Sequence, residues 1–148
     1  MSYDLTVENV NEINAHNLMG HIGIEVTKLE AKYAEAVMPV TENNQQTMGY
    51  LHGGATIALA ESIAGIGSFN LIDESEACVG MQISASHVSS ALLGDRVIAK
   101  CDLIHKGKRS HVWDVNIYSE TRACLISTIK VTNAIIPRPN YQPNNGSF

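Results

Sequence analysis

Cysteine is scarce in this chain: Cys78, Cys101 and Cys124 are widely spaced and form no CxxC pair. An odd, dispersed set argues against a disulfide framework and a zinc site, and fits reduced thiols in a reducing compartment. No HxxxH, HExxH or metal-type carboxylate pair occurs, so no metal is expected. His16, His21 and His111 have no partner pattern. The GxSxG turn is also missing, which removes the α/β-hydrolase route to acyl transfer. Basic charge is in deficit, with ten Lys and Arg against fifteen Asp and Glu and a net charge of −5. That speaks against a nucleic-acid partner, and an anionic ligand would need a local basic cluster. The first residues, MSYDLTVENVNEIN, are acidic and lack an apolar h-region, so no signal peptide is expected and the protein reads as cytoplasmic.

What is present is a 148-residue chain, 45% hydrophobic and 17% charged, which fits one soluble domain with a real core. It is organised around His52–Leu71, HGGATIALAESIAGIGSFNL. From Ala55 to Ile72 there is no Pro, Lys or Arg, and Glu61 is the one ionisable side chain. The run falls short of the ~20 apolar residues of a membrane span, carries Glu61 and Asn70, and has no basic anchor, so no membrane partner is expected. It predicts a helix apolar nearly all round and wrapped by other elements. A carboxylate inside such a helix needs a partner or a purpose; a narrow wet stripe with Ser62 and Ser68 is the lesser alternative.

Before that helix, Thr6–Asn17 predicts a short amphipathic helix capped by Thr6 and broken by Gly20 and Gly23. Ile22, Ile24 and Val26 alternate as in a strand, and Lys32–Val40 predicts a second strand, with Pro39 at its margin. Thr41–Leu51 is a polar loop that delivers Gln45, Gln46 and Met48 to the central helix. After the helix come an acidic loop, Asp73–Glu76, and four strand-like runs. Their shared faces read Val79, Met81, Ile83, Ala85 and His87; Val97, Ala99, Cys101 and Leu103; Trp113, Val115 and Ile117; Leu125, Ser127, Ile129 and Val131. Turns fall at Gly94-Asp95 and Gly107-Lys108. Residues 1–136 form the expected domain, and Pro137–Phe148, rich in Pro, Asn and Gly, a disordered tail. Short connections require antiparallel neighbours, and the apolar helix is the one long crossover. The expected class is α+β, one antiparallel sheet wrapped around a single long central helix, with a second copy shielding what one helix leaves bare.

Chemistry gathers where the helix starts. Gly53 and Gly54 leave N–H groups unobstructed at the positive end of the helix, a donor set for a carbonyl oxygen gaining negative charge. His52 stands just before it, and Gln46 lies in the preceding loop. Glu61 follows Gly53 by eight residues, ~12 Å along one helix, too far for both to touch one carbonyl. A site using both has to be shared between two subunits.

The run GYLHGGATIALAES, with Gln46 ahead of it and GMQISASHVSS behind, resembles the hotdog-fold acyl-CoA thioesterases. The nearer likeness is to the branch that cleaves aromatic acyl-CoA, typified by 4-hydroxybenzoyl-CoA and 1,4-dihydroxy-2-naphthoyl-CoA thioesterases, and it extends from about Thr41 to Ile135. The resemblance implies hydrolysis of an acyl-CoA to the free acid and coenzyme A, with Glu61 as nucleophile or as the base that activates water. It implies that the Gly53 N–H polarises the carbonyl and that His52 and Gln46 position thioester and water. Coenzyme A, a part of the substrate and not a cofactor, would meet Gly80, His87, Val88, Ser89 and Ser90, and the basic turn His105, Lys106, Gly107, Lys108 and Arg109. The resemblance also implies a homo-oligomer, a dimer assembled further into a homotetramer. In one place the chain departs from the family, which often has Ser or Thr one turn after the carboxylate, where Gly65 stands; Ser62 or Ser68 then covers that role or it is absent. Two other readings are a hotdog dehydratase of 3-hydroxyacyl thioesters, disfavoured by the spacing from HGG to LAE, and a non-catalytic acyl-CoA-binding protein.

Overall fold

A computed structural model describes residues 3–140. The chain opens with α1 (Val7–Asn14), capped by a reciprocal pair in which Thr6 Oγ accepts from the Asn9 N–H and Asn9 Oδ1 from the Thr6 N–H. The predicted helix ends sooner than Asn17, because the Asn17 backbone is extended and its side chain caps a separate short helix, α2 (Leu18–His21), that contains Gly20. The first strand, β1 (Glu25–Leu29), pairs with β2 (Tyr33–Pro39) as a hairpin. Their ladder is irregular beside Val26, whose N–H and carbonyl both bond the Asn11 side chain at 2.8 Å. In β2, Ala34, Ala36 and Met38 alternate inward and are fully buried.

The central helix α3 (Gly53–Phe69) is followed by β3 (Glu76–His87), β4 (Arg96–Lys106), β5 (Ser110–Ser119) and β6 (Leu125–Pro137). All six strands form one antiparallel sheet in the order β1-β2-β4-β5-β6-β3. The helix carries the chain from β2 to the far edge, as expected of the one long connection. Leu59, Ala60, Ile63 and Ala64 of α3 pack with buried residues of β2, β4, β5 and β6, among them Ala99, Cys101, Trp113, Ile117 and Val131. The second half of the helix is also pinned by polar contacts: Ser68 Oγ accepts from Trp113 Nε1 at 2.9 Å and from Asn133 Nδ2 at 3.0 Å. Asn133 Nδ2 further donates to the Ala64 carbonyl at 3.1 Å.

Three expectations are corrected here. The helix is not wrapped all round: one sheet covers one side, and the stripe of Gly54, Ala58, Glu61 and Gly65 is left partly or fully open, with the Glu61 residue exposed. The alternation assigned to β3 also breaks, because the ladder with β6 shifts between Gly80 and Gln82. Cys78 and Gly80 therefore oppose the buried Ile135 and Asn133, while Ile83, Ala85 and His87 oppose Val131, Ile129 and Ser127. Val79 and Met81 fall outside that face and are 45% and 61% exposed. At the C-terminal end, β6 reaches Pro137 and the Arg138 N–H bonds the Ser75 carbonyl at 2.7 Å, so Pro137 and Arg138 belong to the fold, and Pro139 and Asn140 follow as an exposed turn. The rest of the expected tail, residues 141–148, lies outside the described residues.

Candidate active site

Helix α3 starts on an unusual cap. His52 is extended, and its Nδ1 accepts from the Gly54 N–H at 2.8 Å. With Nδ1 as acceptor, a neutral imidazole carries its proton on Nε2, so His52 presents a donor to solvent. The Gly53 N–H makes no hydrogen bond among the described residues and lies at the positive end of the helix dipole. The preceding loop is held by the buried Asn44, whose amide bonds the Ile22 and Pro39 carbonyls at 3.0 and 2.8 Å and whose own carbonyl accepts from the His52 N–H. In that loop Gln46 Oε1 accepts from the Met48 N–H, which leaves the Gln46 amide nitrogen as a donor. Met48, delivered by the same loop, is exposed, whereas Met38 of β2 is core.

The helix runs antiparallel to β3, and two close approaches fix the alignment. A Cβ on Gly53 would stand 2.9 Å from His87 Nε2. A Cβ on Gly80 would fall inside 3.0 Å of Glu61 Oε1 and 3.4 Å from Cδ. The bulge is what turns Gly80 toward the helix, and glycine there makes room for the carboxylate. Glu61 has no hydrogen bond or ion pair among the described residues. His87 Nδ1 lies 2.7 Å from Ser127 Oγ, its neighbour across the β3–β6 ladder. Within one chain, Gly53 thus meets the end of β3 at His87 and Glu61 meets its interior at Gly80. A side chain at Gly65 would meet nothing within 4 Å. Ser68 is buried under Trp113 and Asn133 and is in no position to stand in there; Ser62, beside Glu61 on the open side, is the remaining hydroxyl.

Of the residues expected to meet coenzyme A, Gly80 lies against Glu61, and the others divide into two groups. After His87, the Val88 and Ser89 N–H groups both donate to the Ile126 carbonyl, at 2.9 and 3.2 Å. The Arg122 guanidinium bonds Ser89 Oγ at 3.3 Å and the Ser90 carbonyl. The basic turn closes the β4–β5 hairpin, with the Gly107 N–H on the Ser110 carbonyl at 2.8 Å. His105, Lys106, Lys108 and Arg109 are exposed there, and Lys106 and Lys108 border a cleft of about 380 Å³ with Glu76 and His111. Burial, Lys106 and His105 lower the pKa of His111, partly opposed by Glu76, and its Nδ1 has no partner among the described residues. This cleft lies past the C-terminal end of α3, whereas His87–Ser90 lie at the N-terminal end. A 17-residue helix separates them by about 25 Å, so one chain does not bring the two groups together. Sequence reasoning missed Arg122, whose turn gives no pattern, and Ser127, whose signal was a hydroxyl on an otherwise apolar strand face.

Among the described residues no group of three or more His, Cys, Asp and Glu is placed to hold a metal ion, and no helix is long and apolar enough to cross a membrane. The sequence profile of the Thioesterase superfamily matches residues 48–126. The chain is 36% identical over 133 residues to the 1,4-dihydroxy-2-naphthoyl-CoA hydrolase of Escherichia coli, covering 89% of this chain and 96% of that one. The crystal structure of a Haemophilus influenzae thioesterase superposes with a TM-score of 0.87 at 30% identity, over 95% of this chain and 98% of that one. Two structures of a Staphylococcus aureus protein, one described as a thioesterase enzyme with a glutamine replaced by alanine and one with a glutamate replaced by alanine, superpose with TM-scores of 0.78 and 0.79. Both are 38% identical and cover 81% and 82% of this chain, and 98% and 100% of theirs. The match to the superfamily profile, the identity to named thioester hydrolases and the superposition of the whole sheet and helix agree: the chain belongs to the Thioesterase superfamily and has its hotdog fold.

Proposed function

We propose that the protein hydrolyses an acyl-CoA thioester to the free acid and coenzyme A, at sites formed between two copies of the chain. The observation that carries this reading is the placing of Glu61 on Gly80 and of Gly53 on His87 along one edge strand. β3 has a free edge, is 12 residues long, and exposes Val79 and Met81, features that make an edge a template for another strand. Antiparallel pairing of β3 with its own copy, centred between Ile83 and Ser84, sets Gly80 of one chain opposite His87 of the other. Glu61 of one subunit then faces the Gly53 N–H of its partner, and the open stripes of the two helices cover each other. The same symmetry carries the basic turn of one subunit toward His87–Ser90 and Arg122 of the other.

In that site the thioester carbonyl oxygen takes the Gly53 N–H, whose donor strength the helix dipole raises as charge develops on the oxygen. Glu61 either attacks the carbonyl carbon, expelling the coenzyme A thiolate and forming an acyl anhydride that water then hydrolyses to the acid, or takes the proton of a water that attacks the carbonyl carbon directly as the thiolate leaves. His52 Nε2–H and the Gln46 amide orient thioester and water. The glutamine and glutamate replaced in the Staphylococcus aureus protein stand as far apart in sequence as Gln46 and Glu61 do here, which supports assigning these two to the site. Lys106, Lys108 and Arg109 attract the nucleotide phosphates. The acyl group we propose is aromatic, of hydroxybenzoyl or 1,4-dihydroxy-2-naphthoyl type, by likeness to the Escherichia coli hydrolase. The reaction calls on no metal or redox cofactor. The three cysteines, none in a disulfide, fit a cytoplasmic enzyme, and assembly of dimers into a tetramer follows the family likeness. The test is hydrolysis of benzoyl-, naphthoyl-, phenylacetyl- and fatty acyl-CoA with the free thiol detected. Glu61→Gln should fold normally and lose about 10²-fold or more in turnover; near-normal turnover by the folded variant would remove Glu61 from the mechanism.

A further inference from the structure

Ser127 is fully buried on the helix-facing side of β6, where its neighbours on that face are Ile129 and Val131. A hydroxyl there needs a partner, and among the described residues its one hydrogen bond is to His87 Nδ1, at 2.7 Å. The direction of that bond follows from counting donors. If Nδ1–H donated to Ser127, the serine hydrogen would be buried with nothing to accept it, which costs more than leaving a hydroxyl lone pair unused. If the serine donates, every buried hydrogen is satisfied and the imidazole proton must sit on Nε2. That nitrogen is the one close to Gly53, and the His87 residue is exposed, so a ligand can reach it.

We propose that Ser127 is a positioning residue: its hydroxyl donates to His87 Nδ1, holds the ring beside Gly53 in the Nε2–H tautomer, and so gives the thioester carbonyl a second donor next to the Gly53 N–H. This assigns His87 to the reacting carbonyl and not to coenzyme A, and it rests on the hydrolase reading above. Each hydrogen bond moves no proton; the gain is that the donor is already aimed when charge develops on the oxygen. Nothing in the local pattern of β6 other than the hydroxyl itself marks the role.

The test has a spectroscopic and a kinetic arm. Nitrogen NMR of the labelled full-length protein, above the ordinary imidazole pKa, should read the Nε2–H tautomer for His87, and Ser127→Ala should lose that preference. Ser127→Ala should lower kcat about 10-fold with KM little changed, on acyl-CoA and on an acyl-pantetheine thioester alike, and Ser127→Thr should restore most of it. His87→Gln combined with Ser127→Ala should be no slower than His87→Gln alone. An Nδ1–H tautomer in the unaltered protein, losses that multiply in the double variant, or a loss confined to acyl-CoA would each overturn the proposal. Should Ser127→Ala fail to fold, the tautomer of the unaltered protein still decides. If the unaltered protein cleaves no thioester, the hydrolase reading and the carbonyl role of His87 fall together, while the spectrum still tests the bond from Ser127.

Discussion

Gly80→Ala should separate catalysis from folding in this protein. The new methyl would lie inside 3.0 Å of Glu61 Oε1, a distance real Cβ atoms do not keep, and 3.4 Å from Cδ. The obstacle is the far end of a flexible, exposed side chain, so the fold gives way at little cost by turning Glu61 aside. Gly80 is not among the glycines with positive φ, and Ala at a compatible backbone position gains about 0.4–1 kcal/mol by restricting the unfolded chain. Stability should therefore hold or rise slightly. The carboxylate oxygen has to retreat by about 1 Å, and a misplacement of that size costs about 10²-fold in rate. The methyl points toward the helix and not along the strand edge, so self-association should be unchanged. Thermal unfolding, light scattering and free-thiol release from an aromatic acyl-CoA read the three quantities. The loss should appear in kcat, and Gly80→Ala on a Glu61→Gln background should lose nothing further. Near-normal kcat in a folded Gly80→Ala variant, or an additional loss on the Glu61→Gln background, would refute the contact as the means by which β3 positions the carboxylate.

The shared site predicts complementation: mixing Glu61→Gln with Gly53→Ala, each inactive alone, should restore about a quarter of the activity at equal proportions, because half the dimers are hybrids with one intact site. A fully active monomer by light scattering at assay concentration would rule this out. Replacing Lys106 and Arg109 with Ala should raise KM for acyl-CoA more than it lowers kcat, fade at high salt and spare an acyl-pantetheine; an unchanged KM at low salt would leave the turn a solvated hairpin. Burial raises the pKa of Asp95, but hydrogen bonds from Ser119, Thr121 and the Thr121 and Arg96 N–H groups outweigh it and hold the carboxyl below its ordinary value. Its stabilisation is therefore complete above the ordinary pKa of about 3.9 and is lost as pH falls through the lower folded value. Asp95→Ala should cost about 2–3 kcal/mol at neutral pH and weaken the fall in stability toward acid, as denaturant titrations across pH would record.

How much of this was legible in the sequence depends on how far apart the determining residues lie. The apolar helix, the strands and their antiparallel pairing follow from local periodicity and short connections, because a period of two or of 3.6 residues is written into each segment. The ~12 Å between Gly53 and Glu61 followed from helical rise alone, and with it the proposal of a site shared between two subunits. Tertiary structure decided the rest. The bulge at Gly80–Gln82 reversed the faces of β3, and it arises in the ladder with β6, some fifty residues away. Glu61 is exposed because one sheet covers one side of a helix, a fact no window around Glu61 contains. The basic turn and His87–Ser90 sit at opposite ends of α3 because sheet order sets where each hairpin closes. Ser127 found His87 by register across β3 and β6. Periodicity states which way a side chain points from its own strand; only the pairing of distant strands states what it then meets.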